Sequence, residues 1–139
     1  MDIVMEPIGF IKSPYKDTRE IPRQSIYSED KRAVIEVLPK FSEGLEGIQE
    51  NAYGVILFYF HQSKEAPLRL LSRKTNEMTG VFATRSPNRP NGIGISIVKF
   101  IKIEENRLEF QGVDMVDGTP VLDIKPYSPD LNPREDNVY

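Results

Sequence analysis

The residues best suited to chemistry lie in short polar stretches beside apolar runs. Phe60-His61-Gln62 ends the apolar run 55–60 and carries the single His of the chain. A buried strand that ends in His and Gln places two polar tips at the end of a sheet or barrel, where ligand sites are common. A histidine held by a backbone carbonyl is the alternative, and at this point both interpretations stay open.

A second stretch, residues 80–96, holds two Arg, two Pro, two Asn and three Gly. The prolines stiffen the chain, so Arg85 and Arg89 are held with reduced entropy, and a guanidinium recognises a carboxylate or phosphate through two hydrogen bonds. Asn91-Gly92 could form a simple hairpin turn. Because the stretch spends more residues than a hairpin needs, we interpret it as a binding loop.

A third stretch brings three Asp within ten residues, 114–123. Asp117-Gly118-Thr119-Pro120 indicates first a β-turn, in which Asp accepts backbone N–H bonds and Gly supplies a positive φ. Asp114 and Asp117 flank an apolar Met-Val pair, so two carboxylates are expected at a strand end, where they could hold ribose hydroxyls or an ammonium group. Pro22-Arg23-Gln24 adds a cation and an amide that can bind a planar ring edge, although a surface cation is the commoner role for such an Arg.

Short strands must position these stretches, because no 12-residue window keeps a helical apolar period without an interrupting Gly or Pro. Eight strands are predicted near residues 7–12, 33–38, 53–60, 68–72, 80–84, 94–103, 107–113 and 120–124. The run 55–60 is apolar on both faces and should be central. One short helix is predicted over 41–51, with Ser42 as its cap. Eight strands with little helix hide their edges best in an all-β fold, a small closed or nearly closed β-barrel.

Composition excludes several classes of protein. The 139 residues predict a single domain over 1–139, without an additional C-terminal domain. Having no Cys and one His, the chain cannot form a disulfide, a thiol nucleophile or a Cys/His zinc site, and we expect no metal. With no long apolar run and no basic leader, a soluble cytoplasmic protein that does not contact membranes is expected.

The net charge of -3 conceals a basic segment. Residues 64–99 hold seven basic and two acidic side chains, whereas the acidic surplus falls before and after them. A protein with a basic face for nucleic acid can have a negative net charge when the rest of its chain is acidic, and the segment 64–99 fits this pattern. A solvated strand face is the alternative.

Five segments, taken in order, resemble the successive motif blocks of the TsaA-like family of TrmO-type tRNA methyltransferases. They are IGFIKSPY at 8–15, PRQ at 22–24, FHQ at 60–62, GVFATRSPNRPNGIGIS at 80–96 and VDGTPVLDIKPY at 116–127. The resemblance covers about residues 6–127. It implies a small β-barrel that uses S-adenosyl-L-methionine and methylates N6 of N6-threonylcarbamoyladenosine at position 37 of tRNA, next to the anticodon. Asn91-Gly92-Ile93-Gly94 stands where the family usually has Asn-Pro-Ile-Gly.

The resemblance also implies roles for individual residues. The implied cofactor-binding residues are Arg23, Gln24, His61, Gln62, Arg85, Ile95, Gln111, Gly112, Val113 and Asp114. The candidates for the catalytic base that removes the N6 proton are Asp117, Asp114, His61 and Tyr59. The basic loop 64–89, with Arg73, Lys74 and Arg89, is expected to grip phosphates of the tRNA anticodon loop.

A homodimer is expected, because a small barrel offers little area for both a cofactor and an RNA loop. Two alternatives stay open: a noncatalytic S-adenosyl-L-methionine-binding module, and a methyltransferase acting on another nucleic acid or a metabolite.

Overall fold

The computed structural model describes residues 1–21 and 31–131 of the chain. Its strands are β1 Gly9–Lys12, β2 Arg32–Val37, β3 Tyr53–Tyr59, β4 Arg69–Leu71, β5 Met78–Gly80, β6 Ile93–Glu104, β7 Arg107–Gln111 and β8 Pro120–Pro126. Short 3-10 helices cover Thr18–Glu20, Pro39–Leu45 and Val81–Ala83. No helix in these two ranges has the length and apolar character needed to span a membrane.

Six strands close a barrel in the order β1-β2-β7-β6-β3-β8, with β8 pairing back onto β1 and every neighbouring pair antiparallel. Closure removes the free edges of these six strands. The remaining two, β4 and β5, form a separate hairpin between β3 and β6. The predicted all-β barrel with little helix is therefore confirmed, but the barrel has six strands rather than about eight.

Side chains alternate between the inside and the outside of the barrel, as its closure requires. On β6, Gly94, Ser96, Val98 and Phe100 are buried, and the isoleucines between them are exposed. The interior is filled by apolar side chains, among them Ile11, Ile35, Ile56, Phe58, Phe100, Leu108, Phe110 and Val121. Because apolar side chains fill the interior, we expect a ligand to bind at an end of the barrel or on its outside.

Two glycines make room for aromatic rings in this core. A Cβ on Gly54 would lie 1.9 Å from Cζ of Phe100, and a Cβ on Gly94 would lie 2.4 Å from Cζ of Phe58. Both rings are buried, so neither can move aside without disturbing close-packed neighbours. The two glycines are therefore packing requirements of the barrel.

Two predicted elements were wrong. The strand predicted at 80–84 ends at Gly80, because the chain turns at once into the 3-10 helix Val81–Ala83, whose Val81 is buried. The helix predicted over 41–51 is instead the 3-10 helix Pro39–Leu45, which has no side-chain cap. Ser42, the predicted cap, donates its hydroxyl to the carbonyl of Pro39 at 2.8 Å.

The antiparallel order sends each connection to one of two ends of the barrel. Connections 60–92 and 112–119 meet at one end, together with residues 13–21 after β1 and residue 31 before β2, and we call this end the loop end. Connections 38–52 and 105–106 meet at the other, the far end. Of the polar stretches singled out in the sequence, residues 60–62, 81–92 and 114–119 belong to connections of the loop end, whereas Asp123 lies on β8.

Candidate functional site

The connection 112–119 covers the loop end of the barrel. Val113, Met115 and Val116 are buried in it, whereas Asp114 and Asp117 are half-buried. Apolar side chains therefore anchor this turn while its two carboxylates stay accessible. Val113, one of the implied cofactor residues, is fully buried and contributes to the site by packing.

Asp117 is held by the segment that follows β1. Its Oδ1 accepts the backbone N–H of Ser13 at 2.9 Å, and its Oδ2 lies 3.1 Å from Nζ of Lys16. The Ser13 N–H, followed by Lys16, lowers the pKa of Asp117 below its ordinary value, because both favour the charged carboxylate. A carboxylate with a lowered pKa is a weaker base. These contacts therefore favour a positioning role for Asp117 over the general-base role considered from the sequence.

Asp114 contacts the barrel through β6. The hydroxyl of Ser96, buried inside the barrel, donates to Oδ1 of Asp114 at 2.5 Å. The neighbouring Ile95 points outwards and is 46% exposed. Asp114 and Ile95, both implied in one cofactor pocket, thus lie on opposite faces of β6. A single molecule that touches both must reach around the Ile93 end of this strand.

His61 and Gln62 follow β3 in an exposed turn. Nε2 of His61 lies 4.0 Å from the position that a Cβ on Gly118 would occupy, so the imidazole adjoins the turn that carries Asp117. Tyr59 is 44% exposed, and its Cε1 lies 3.5 Å from the corresponding position on Gly92. The structure therefore brings all four candidate bases, His61, Tyr59, Asp117 and Asp114, to the loop end.

The loop 81–92 fixes its own shape through hydrogen bonds. Nη1 of Arg89 donates to the carbonyls of Thr84 at 2.9 Å and of Ser86 at 3.2 Å. Arg89 is half-buried as a result, whereas Arg85 on the same loop is exposed. Arg89 thus has a structural contact that the sequence did not indicate, in addition to the RNA contact predicted for it.

The other predicted residues occupy separate places. Arg73 and Lys74 are exposed in the turn of the β4–β5 hairpin, where the backbone N–H of Lys74 donates to the hydroxyl of Ser72 at 3.2 Å. Gln111 ends β7, and Gly112 follows with a φ of 96°. Arg23 and Gln24 lie outside the described residues. Within the described ranges no group of three or more His, Asp or Glu could hold a metal ion.

Sequence reasoning missed three residues that build this end: Ser13, Lys16 and Ser96. The hydroxyl of Ser13 donates to the carbonyl of Met115 at 2.6 Å, in addition to the backbone contact with Asp117. Ser96 carried a usable signal, since it is the polar residue at an inward position of an alternating strand. Lys16 carried none, because its partner is about a hundred residues away in the chain.

The fold and its loop end define a class of protein: a small antiparallel barrel with one polar end, in which the described residues contain no α-helix of the kind that begins a Rossmann nucleotide site. The chain belongs to the family described as the tRNA-methyltransferase O N-terminal domain, which matches residues 10–132.

Individual relatives agree with this assignment. The chain is 44% identical over 133 residues to a probable S-adenosyl-L-methionine-binding protein of Pyrococcus abyssi, covering 96% of this chain and 72% of that protein. It is 39% identical over 142 residues to a tRNA (adenine(37)-N6)-methyltransferase of Mus musculus, covering 94% of this chain and 32% of that protein. The crystal structure of TrmO from Pseudomonas aeruginosa matches it with a TM-score of 0.83 at 43% identity, over 98% of this chain and 60% of that one.

Proposed function

We propose that the chain binds S-adenosyl-L-methionine at the loop end and methylates N6 of N6-threonylcarbamoyladenosine at position 37 of tRNA. The observation that carries the proposal is the meeting of His61, Arg85, Asp114 and the Asp117 turn in connections of one end of the barrel. Family membership and the names of the relatives support both the cofactor and the substrate. A tRNA substrate agrees with the expected cytoplasmic location.

The side chains of the loop end suit the parts of the cofactor. Exposed Arg85 can bind the methionine carboxylate, and the carboxylate of Asp114 can bind its ammonium group. The amide of Gln62 can hydrogen-bond the adenine edge, and Ile95 offers an apolar surface for the ring. When bound, the cofactor supplies an electrophilic methyl group on a cationic sulfur.

The nitrogen that accepts the methyl group is ureido-like and becomes a good nucleophile only when its proton leaves. We assign the removal of this proton to His61, since an imidazole is the side chain best suited to accept a proton near neutral pH. Tyr59 and Asp114 are the other candidates. Asp117 instead holds Lys16 and the segment after β1 in place.

Transfer of labelled methyl groups to tRNA with and without the threonylcarbamoyl group tests the proposal. We expect transfer only to the modified tRNA and binding of S-adenosyl-L-methionine by calorimetry. In His61→Asn we expect a loss of transfer of roughly 10²-fold or more, much larger than any loss of cofactor affinity. Gln49→Ala, an exposed change at the far end, is the control. Cofactor binding without transfer to any tRNA would instead support the noncatalytic module, which the name of the Pyrococcus relative favours.

We further propose a homodimer. Ile93, Ile95 and Ile97 on the outside of β6 are between 43% and 48% exposed, and Met78 on β5 and Phe82 after it are more so. Apolar surface of this extent is typical of an interface. Because Ile95 faces away from Asp114, a second copy that presents its own Ile95 would complete the pocket. Sedimentation of the wild type and of Ile97→Asp tests this, and a monomeric wild type with full cofactor affinity would contradict it.

A further inference from the structure

A basin of about 480 Å³ opens on the outside of the barrel, next to the loop end. Three cations line it: Lys12 on β1, Lys16 after β1, and Arg32 at the start of β2. The carboxylates of Asp117 and Glu109 also border it. We call this place the flank basin. None of its cations belongs to the basic segment recognised in the sequence.

Strand pairing fixes two of these cations side by side. Lys12 pairs with Val34, and Arg32 lies two residues before Val34 on the same face of β2. Diagonal neighbours of this kind on an antiparallel pair lie about 7–8 Å apart, within reach of long side chains. The barrel therefore presents both charges to one ligand without requiring a loop to order.

The ion pairs of the basin leave its positive charge available. Lys16 lies 3.1 Å from Asp117, and the contact of Arg32 with Glu109 is longer, at 3.4 Å. Lys12 is exposed and makes no direct ion pair with any residue in 1–21 or 31–131, although its charge contributes, after Ser13 and Lys16, to the lowered pKa of Asp117. Exposed ion pairs are weak in water, so an incoming anion can share these cations.

The position of the basin indicates which anion it takes. In the closed order of strands, β1 and β2 lie across the barrel from β3 and β6, which flank the connection that carries Arg73 and Lys74. An RNA strand that is bound both by the flank basin and by the connection with Arg73 and Lys74 crosses the loop end, where the substrate base has to lie for methyl transfer. A single cationic patch on either side would not impose that path.

We propose that the flank basin binds a backbone phosphate of the substrate RNA through Lys12, Arg32 and Lys16, and so fixes the RNA across the loop end. This inference rests on the proposed function, since it takes tRNA as the substrate. The ligand class is a phosphodiester of RNA, and the contact is independent of base sequence.

The affinity for tRNA, measured by filter binding at several salt concentrations, tests the inference with Lys12→Gln, Arg32→Gln and the double variant. We expect each single change to weaken tRNA binding about fivefold and to reduce the slope of log affinity against log salt by roughly 0.7–0.9 per lost contact. Affinity for S-adenosyl-L-methionine should stay unchanged, and Lys12→Arg should restore tRNA binding. Lys16 is left intact because it holds Asp117.

Lys102→Gln is the matched control, because Lys102 is as exposed as Arg32 and lies towards the far end of β6. Wild-type affinity and slope in the double variant, in a protein that methylates tRNA, would overturn the flank basin alone. An equal loss in Lys102→Gln would overturn it too, since the effect would then be one of total charge. A wild-type protein that binds no tRNA at any salt concentration would overturn both this inference and the proposed function.

Discussion

The two ends of the barrel are built in different ways. At the far end, the connection 38–52 packs Leu45 into the core and continues the backbone ladder, with Asn51 N–H donating to the Phe100 carbonyl at 2.7 Å and Phe100 N–H to Ala52 at 2.8 Å. At the loop end, backbone bonds such as that from Gly118 N–H to the Ile11 carbonyl at 2.7 Å are joined by hydrogen bonds from side chains. The buried polar residues of the described chain, Ser13, Ser72, Ser96 and Thr119, all lie in β6 or in connections of the loop end.

The difference agrees with the proposed placement of the site at the loop end. The far end has a cavity of about 700 Å³ whose wall is largely apolar, with Phe41, Leu45, Ile48 and Phe100 in it, but which also includes the charged residues Glu46, Asp123 and Lys125. At the loop end, the carboxylates of Asp117 and Asp114 accept hydrogen bonds from a backbone N–H group and from a hydroxyl group. In the described residues, every buried side-chain polar atom has a hydrogen-bond partner. A fully satisfied polar network is rigid, which is what a site needs in order to hold a cofactor and a base in register.

The largest effect should come from adding one methyl group to the barrel interior at either end. Gly54→Ala at the far end and Gly94→Ala at the loop end each force a buried Phe ring to move, at a cost of about 1–3 kcal/mol in the free energy of unfolding. Urea denaturation measures this cost. Cofactor affinity, measured under conditions where each variant is folded, should fall only for Gly94→Ala, because Gly94 lies between Ile93 and Ile95.

Equal cofactor affinities in the two glycine variants would break the proposed division between the ends. A cost below about 0.5 kcal/mol in both would show that the rings of Phe58 and Phe100 relax freely, against the close packing argued for them.

A second effect separates the two arginines of the loop 81–92. Arg89→Ala removes the hydrogen bonds to the carbonyls of Thr84 and Ser86 and should loosen the loop that carries Arg85. We therefore expect cofactor affinity to fall about threefold to tenfold in Arg89→Ala, as well as tRNA affinity, since a hydrogen bond contributes roughly 0.5–1.5 kcal/mol. Arg85→Ala should weaken cofactor binding more strongly. Calorimetry with both variants measures this, and an unchanged cofactor affinity in Arg89→Ala would limit Arg89 to RNA binding.

The sequence predicted which segments are strands better than it predicted how they meet. Apolar runs bounded by turn residues overlap seven of the eight strands, all except β5, because local propensity and turn chemistry agree there. Pairing is set by the whole barrel, so the separation of β4 and β5 from the other six strands left no local signal. The strand predicted at 80–84 was wrong for a related reason: burial of Val81 decides that turn.

The same distinction applies to the site. The motifs at 60–62, 80–96 and 114–117 gave the residue types, but the contact between Ser13 and Asp117 spans 104 positions of the chain. Lys12 and Arg32 belong to a segment with an acidic surplus, and their charges meet only when β1 pairs with β2. The net charge of a sequence window does not reveal these two cations, because acidic residues in the same window outnumber them. The register of β1 and β2 places the two cations next to each other.

A third prediction concerns acid and the loop end. The pKa of Asp117 is lowered in the folded chain from its ordinary 3.8, so the unfolded chain binds more protons on acidification. The stabilisation by Asp117 is therefore complete above the ordinary value and is lost as the pH falls through the lowered one. The difference in unfolding free energy between the wild type and Asp117→Asn should be constant from pH 7 to about 5 and shrink below about 4. A difference that stays constant down to pH 3 would contradict the contacts with Ser13 and Lys16.

The smallest effect should have the opposite sign. The backbone of Gly92 does not lie in the left-handed region, and a Cβ there would meet Cβ of Phe60 and Cε1 of Tyr59 at an ordinary 3.5 Å. Gly92→Ala should therefore raise the free energy of unfolding by about 0.4–1 kcal/mol, because it reduces the freedom of the unfolded chain without strain in the folded one. Urea denaturation of Gly92→Ala and Gly54→Ala, measured side by side, compares the effect of the same added methyl group at the two ends of the barrel. Destabilisation by Gly92→Ala would contradict this. It would show that the surroundings of Gly92 are packed as tightly as those of Gly54, with no room for an added methyl group.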